Sequence, residues 1–464
     1  MRQTIVAAGA LLALASMAQA VARTIDTAET TPVTISNGDS LTVTQSGSVI
    51  TSSTSTPSIT FDDTDVSGAI QIDGVVESTG DKGMEVDDVS VDGSIIINGS
   101  VTGTDEDAVD VDINQEAVNG SIINNGSITS SGNNNESGIE FDSGLVKGDL
   151  INNGTITSAG DNGITVYGDD DDNLSDNEGI IEGSLINTGT INAEGEAFDI
   201  DDNAWIKGGI ENSGSLNSET AVVVEIDEET RIDNGLLNSG TIEGIDGIEL
   251  RGDSSLNGGL VNSGKILAQD RALRLDSGTT VDGVIQNQSG GIMAGRLAID
   301  TTVELVNSGQ LYIKELTDAQ AVADTGSPAE SEIEGTYTQS TGGLLGVAVD
   351  TPETAGSTYS ALQVRGDVTL EPNTTLQIDV KNNAQNLALG DRISDIITAT
   401  GALNASTLRV RDNSAAYDFN AEINEGRIEL LVVEQRIEPI PALSGYALLL
   451  LSGLISLLGF RAMK

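Results

Sequence analysis

Along most of the chain, two apolar residues flank a third residue, a polar one usually follows, and this short phrase returns at a steady interval. It stands at Ile59/Phe61, Met84/Val86, Val109/Val111, Ile139/Phe141, Ile164/Val166, Phe198/Ile200, Val222/Val224, Ile248/Leu250, Leu273/Leu275 and Leu297/Ile299, with successive copies 24 to 34 residues apart. Apolar positions at a period of two predict a half-buried strand, and self-similarity at roughly 20 to 50 residues marks a solenoid or an array. A second phrase precedes the first in each unit: "GSIINNGSIT", "GDLINNGTIT", "GSLINTGTIN", "GGIENSGSLN", "NGLLNSGTIE" and "GGLVNSGKIL". Each predicts a short aliphatic strand, an Asn-x-Gly turn whose glycine supplies a positive φ, and another strand. One unit should therefore hold three short strands.

Propeller blades would need units of roughly 40 or more residues with aromatic signatures. Aromatic residues make up only 3% of the chain, and Ile, Leu and Val dominate its repeats. The units read better as coils of a right-handed, single-stranded parallel β-helix, in which each strand pairs with its equivalent one coil away. The expected fold is all-β: about ten or more coils at about 4.8 Å each, a rod on the order of 50 Å, followed by a C-terminal β cap.

Asn124, Asn152, Asn187, Asn212, Asn238, Asn262 and Asn307 each stand two residues before the turn glycine. That spacing puts Asn124 on the same face as Ile122, pointing inward at the corner. There, amides of successive coils can bond along the axis as a structural ladder.

The same alternation sends Glu140 and Asp142 outward from Ile139 and Phe141. Asp62, Asp87, Asp112, Tyr167, Asp201, Glu225, Arg251, Asp276 and Asp300 should stack with Asp142, and Glu85, Asp110, Asp199 and Glu249 with Glu140, as an acidic wall. Three uses are open: a solvated face that keeps strand surfaces apart, weak calcium binding at Asp87, Asp112, Asp142, Asp169, Asp171 and Asp201, or catalysis by paired carboxylates. Charges about 5 Å apart in bulk water repel by roughly 0.8 kcal/mol. A rod with many buried aliphatic residues absorbs that, so the solvated face is the leading expectation. Two insertions interrupt the period, "SGNNNESG" and the acidic "YGDDDDNLSDNEG" at 167–179, and both are expected on one corner. The second lacks the glycine an EF-hand loop requires, since Leu174 stands there.

Composition narrows the chemistry. Among 464 residues there are 72 acidic and 21 basic ones, a net charge of -51, no cysteine and no histidine. Imidazole and thiolate catalysis and zinc sites of Cys or His are excluded, and the remaining carboxylates and carbonyls suit calcium or magnesium. A polyanion of this size repels nucleic acid. Trp205 and Lys207 stand beside Asp199, Asp201 and Asp202, where a carbohydrate-active site would be sought. With a single tryptophan there is little for sugar stacking, and no enzyme is expected.

Both ends carry addresses. Arg2, an apolar run and Ala18-Gln19-Ala20 predict a secretory signal peptide over 1–20. Residues 440–460 lack any charge and suffice for a transmembrane helix, with Arg461 and Lys464 held on the cytoplasmic side. An ordinary stop-transfer anchor is one reading. The other rests on Ile440-Pro441-Ala442-Leu443-Ser444, the apolar helix and the basic tail, which resemble the tripartite sorting signals called PEP-CTERM and, more closely, IPTL-CTERM. Gly445 replaces an acidic residue usual in that family. The resemblance implies recognition of Ile440, Pro441 and Arg461 by an exosortase-like membrane enzyme acting near Pro441.

Between the coils and this tail, the polar stretch 316–335 predicts a linker, with coils over 21–315, a cap over 336–434 and the sorting segment over 435–464. In the cap, Tyr337-Thr338-Gln339, Gly342-Gly343-Leu344 and Tyr359-Ser360-Ala361-Leu362-Gln363-Val364 resemble the distal passenger region of bacterial autotransporters. That likeness implies an exported protein of the Gram-negative envelope or surface, structural or adhesive, whose partner is an extracellular polysaccharide or a cell-surface component. The chain departs from autotransporters in that only about 30 residues follow Glu434, too few for a translocator barrel.

Overall fold

The computed structural model describes residues 22–435 apart from 37, 63–64, 115, 133–135, 169–178, 317–325, 352–353, 355, 382–386, 406 and 415. The expected signal segment, Asp169, Asp171, Ile440, Pro441, Arg461 and the C-terminal apolar stretch lie outside the described residues. Within them the chain is a parallel β-solenoid, and no helix occurs among the described residues.

Each central coil has four straight pieces rather than the three expected. In one coil they are Leu150–Asn152, Thr155–Ser158, Ile164–Tyr167 and the two-residue Ile180–Ile181, which define the first, second, third and short faces. The short face forms a separate seven-stranded parallel sheet. Its strands carry too few residues for any period to show in the sequence.

The first face is an unbroken parallel ladder from Arg23–Ile25 to Leu403–Ala405. Strands this short have no stability of their own. They persist because every inward residue lands on an inward residue of the next coil, so that Ile122, Leu150 and Leu185, or Ile128, Ile156 and Ile191, form fully buried columns. Each such side chain contributes roughly 1.5–3 kcal/mol of burial. Phe61, Phe141 and Phe198 fill the same role on the third face.

The corner glycines are required for a different reason than the turn phrase implied. Gly126, Gly154 and Gly189 do not have positive φ. A Cβ on them would instead lie 2.0, 2.1 and 2.0 Å from the carbonyl oxygens of Gly99, Gly126 and Gly154, one coil back. Close approach between coils selects glycine here, not backbone handedness.

Two placements differ from the sequence reading. Phe198 and Ile200 pair with Val224 and Ile226, not with Val222 and Val224. The valine run 222–224 hides a two-residue slip, so Glu225 stacks on Asp199. The insertions also flank the third face on opposite sides: "SGNNNESG" connects the second face to the third, and 167–179 connects the third to the short face.

Within the polar stretch, Gly326–Pro328 pairs antiparallel with Gln310–Leu316, and Glu330–Gln339 belongs to the solenoid. Glu330–Gln339 pairs in parallel with Ile292–Asn307 and carries the ladder into the cap. There Tyr337 is fully buried and its hydroxyl donates to Gln339, while Ser360 Oγ accepts the amide of Ala348 at 3.0 Å. Lys314, 1% exposed at its side chain, bonds Asp379 at 3.0 Å inside this region. The rod ends in an antiparallel hairpin, Tyr417–Asn424 with Arg427–Gln435, whose second strand also covers Arg392–Ala399. This turn of direction closes one of the edges that a parallel stack leaves open.

Candidate functional site: the inner amides and the acidic third face

Two columns of repeated polar side chains are set by the coils. The first is inside. Asn124 Nδ2 donates to Asn152 Oδ1 at 2.7 Å, and the pattern repeats through Asn187, Asn212, Asn238 and Asn262 at 2.8 to 2.9 Å. It runs on through Asn287 and Asn307, both at 2.8 Å, to Gln339 at 3.2 Å. Asn287 escapes the turn phrase because Gln288-Ser289-Gly290 follows it. Each Nδ2 also reaches a backbone carbonyl of the next coil, as Asn187 reaches Ser215 at 3.3 Å. The asparagine amides are buried and satisfied, while Gln339 Nε2 at the end of the ladder is buried without a partner among the described residues; their chemistry is structural.

The second column is the third face. Asp87, Asp112 and Asp142 stack in register, with Tyr167 and Asp201 above them, and Asp227, not Glu225, continues the stack. Several of these acids serve the turn that leaves the face. Asp201 Oδ1 accepts the amide of Asp202 and Asp227 Oδ1 that of Glu228, both at 2.8 Å, and Asp112 accepts Ser143 Oγ at 3.1 Å. Asp202 and Glu228 have φ of 54° and 44°. A carboxylate that caps such a turn has a local reason to recur.

The neighbouring column is not the solvated wall expected. Asp110, Asp199, Glu225 and Glu249 are 5%, 8%, 9% and 4% exposed, and Glu140 between them is half-buried. Connecting segments contribute more acids against this column: Asp107 and Glu136, both buried. The period hid them, because neither stands in a strand. For Glu136 the irregular insertion at 131–138 was a signal; for Asp107, in the connection before Val109–Asp112, there was none.

Cations compensate the column at its ends. Lys82 pairs with Asp110 and, at 3.2 Å, with Glu85. Burial works against its charge, but these two acids outweigh it and raise its pKa. Toward the other end Arg251 pairs with Glu225, with Asp227 at 2.8 Å and with Glu249 at 3.6 Å, and Arg274 with Glu249 at 2.5 Å. Among the described residues no lysine or arginine pairs with Asp107, Glu136, Glu140 or Asp199.

In that middle stretch the charged form is disfavoured. Burial first, then neighbouring acids, push Asp107 to about 6, Glu136 to about 7, Glu140 to about 8 and Asp199 to about 7. Asp199 keeps two donors, Asn162 Nδ2 at 2.8 Å and the Tyr167 hydroxyl at 3.4 Å. Carboxylate oxygens lie within 4.8 Å of one another in two groups, Glu106 with Asp107 and Glu136, and Asp201 with Asp227 and Glu228. Of the described residues expected to hold calcium, Asp87, Asp112, Asp142 and Asp201, only Asp201 falls in one of them.

Trp205 does not face these acids as a sugar platform. It lies on the short face, where Lys207 Nζ and the Arg231 guanidinium sit 4.5 and 4.8 Å from its ring centroid. Its Nε1 donates to Asp233 at 3.0 Å.

Comparison with known proteins adds one fact about the far end. Residues 438–464 match the IPTL-CTERM motif. The match spans Ile440, Pro441 and Arg461, and points to an exported protein that a sorting system delivers to the cell envelope. No curated protein matches the chain.

Proposed function

We propose that this protein is a structural or adhesive rod of the Gram-negative cell surface, of the autotransporter-passenger type. It reaches the membrane through its C-terminal segment, is processed there by an exosortase-like enzyme, and meets an extracellular polysaccharide or cell-surface partner without catalysing a reaction. The observation that carries this reading is the junction of one uninterrupted parallel ladder with a sorting motif at 438–464. A stiff rod supplies reach, and its densely bonded backbone supplies resistance to proteolysis. Mass spectrometry of the chain recovered from the envelope tests it. A mature end near Pro441 is expected; a chain ending at Lys464 leaves a plain anchor, and a cytoplasmic chain with its first 20 residues intact overturns the reading.

A second reading is favoured by the raised carboxylates. An acid that keeps its proton near neutral pH beside an ionised one is the arrangement glycoside hydrolysis uses. Glu140 and Asp142 occupy alternate positions of one strand. Turnover of acidic or neutral polysaccharides by the purified rod, lost in Asp201→Asn or Glu140→Gln, would replace the structural reading. We further propose that calcium weakly neutralises this column. A melting temperature raised by millimolar Ca²⁺ but not Mg²⁺ supports that, and an unchanged melt removes it.

A further inference from the structure

The charge of this chain is not spread evenly around its coil. Over 95–193 the outward positions of the first face are Ile96, Ile123, Ile151 and Ile186, in register and half-buried. At the adjoining corner stand Asn98, Asn125, Asn153 and Thr188, exposed and bonded to one another at 2.7 to 2.9 Å. The second face presents Ser100 with Thr102, Ser127 with Thr129, Thr155 with Thr157, and Thr190 with Asn192. Not one of these positions is charged. In the same coils the third face carries Asp110, Asp112, Glu140, Asp142, Asp199 and Asp201. Beyond 193 the isoleucine column passes Glu211 and resumes as Leu237, 44% exposed, and Val261, which line an apolar groove with Ile186.

We propose that this uncharged side is a homodimer face, on which two copies lie side by side and antiparallel. Two arguments select a second copy. A body of net charge -51 repels its own kind over most of its surface, and desolvation of carboxylates opposes contact elsewhere. On this side, two copies can meet without confronting like charges. Moreover, a surface whose side chains recur once per coil, about 4.8 Å apart, matches a partner over several coils only if that partner has the same repeat. A second copy has it by identity. Because the column is isoleucine four times over, a two-fold axis across the rod brings Ile96 against Ile186 and Ile123 against Ile151 of the other copy, a self-complementary contact of the isologous kind. The hydroxyls and amides beside it form the polar rim.

This inference rests on charge placement and register, not on the surface-rod reading, which a monomeric result would leave standing. The test is sedimentation of the purified full chain in detergent, at 0.15 and 1 M salt. A dimer is expected, stronger at high salt because screening removes the residual repulsion. Ile123→Glu with Ile151→Glu should weaken it by roughly a hundredfold or more. Glu211 already occupies that column, so the fold accepts the substitution. The chain has no cysteine, so Ile96→Cys with Ile186→Cys, three coils apart in one chain and beyond disulfide reach there, gives a second readout, a disulfide-linked dimer under mild oxidation, whereas Asp112→Cys on the third face gives none. A monomer at both salt concentrations overturns the proposal, as does a dimer indifferent to the double glutamate variant. So does a monomer whose uncharged side retains a neutral polysaccharide instead.

Discussion

Consider replacing Asn187 by isoleucine, and separately Asn124 by isoleucine. The two residues occupy the same position of the coil, and the same residue already stands one coil before Asn124, where Ile97 pairs with it. Asn187 is mid-ladder. Removing it deprives Asn152 Nδ2 of its 2.8 Å acceptor, leaving it the longer contact to Thr190 O at 3.3 Å, and leaves Asn212 Oδ1 without its 2.9 Å donor. Asn124 ends the ladder, so its loss deprives only Asn152 Oδ1 of an amide. The amide of Gly126, which bonds Asn124 Oδ1 at 3.0 Å, has an alternative in the preceding carbonyl, as the amide of Gly99 bonds Ile72 O at 2.8 Å. Each buried amide group that loses its side-chain partner costs about 1–3 kcal/mol. Asn187→Ile should therefore destabilise by about 3–5 kcal/mol, and Asn124→Ile by about 1–3 kcal/mol less than that. The strain of fitting isoleucine is common to both and cancels in the difference. Urea unfolding followed by circular dichroism gives the two values, compared at equal m so that the unfolded state is not the cause. Equal losses, or a loss below about 0.5 kcal/mol for Asn187→Ile, would show that the ladder carries no net stability and refute the reasoning.

Acidity should favour the fold over an unusual range. Asp107, Glu136, Glu140 and Asp199 have pKa values raised in the folded state, so the native chain binds more protons than the unfolded one between about pH 5 and 8. Stability therefore falls as pH rises through that window, and Glu140→Gln should flatten the decline in melting temperature; a melt that rises toward pH 8 contradicts the burial argument. Gly189→Ala, with its Cβ 2.0 Å from Gly154 O, should cost more than about 3 kcal/mol, while Gly342→Ala, which meets nothing within 4 Å but has φ of 86°, should cost about 1 kcal/mol. Lys314→Met should destabilise the cap by about 3–5 kcal/mol by stranding Asp379, and the double variant with Asp379→Leu should recover most of it.

The fold was legible because its period is enforced by contact: Ile139 and Ile164 must coincide, and so their spacing is written in the chain. The same holds for the amides, since Asn152 can reach only the equivalent residue of the next coil. What the period could not show is whatever lies off the strands. Val222 and Val224 satisfy the alternation as well as Val224 and Ile226, and only the corner geometry selects the second. Alternation sends Asp110 and Asp199 outward, but whether outward means solvated depends on the connections that fold over them. Glu136 and Asp107 come from such connections, in segments whose length varies from coil to coil. Glycine at the corner was predicted rightly and for the wrong cause, because a sequence records which residue is needed and not which neighbour requires it.

The inner amides have a direction. From Asn124 to Asn307 every Nδ2 donates to the side-chain oxygen of the later coil, the last of them Gln339 Oε1, and from Asn152 onward every such oxygen accepts from the earlier coil. Backbone bonds between coils alternate, as Asn153 N donates back to Asn124 and Leu150 N forward to Ser184, and their dipoles largely cancel. The side-chain amides do not cancel; each polarises the next. The rod thus contains a filament of aligned dipoles, its negative pole at Asn124 and its positive pole at the cap. Two antiparallel copies would set those filaments head to tail, so that a pair is electrically apolar where a single rod is not.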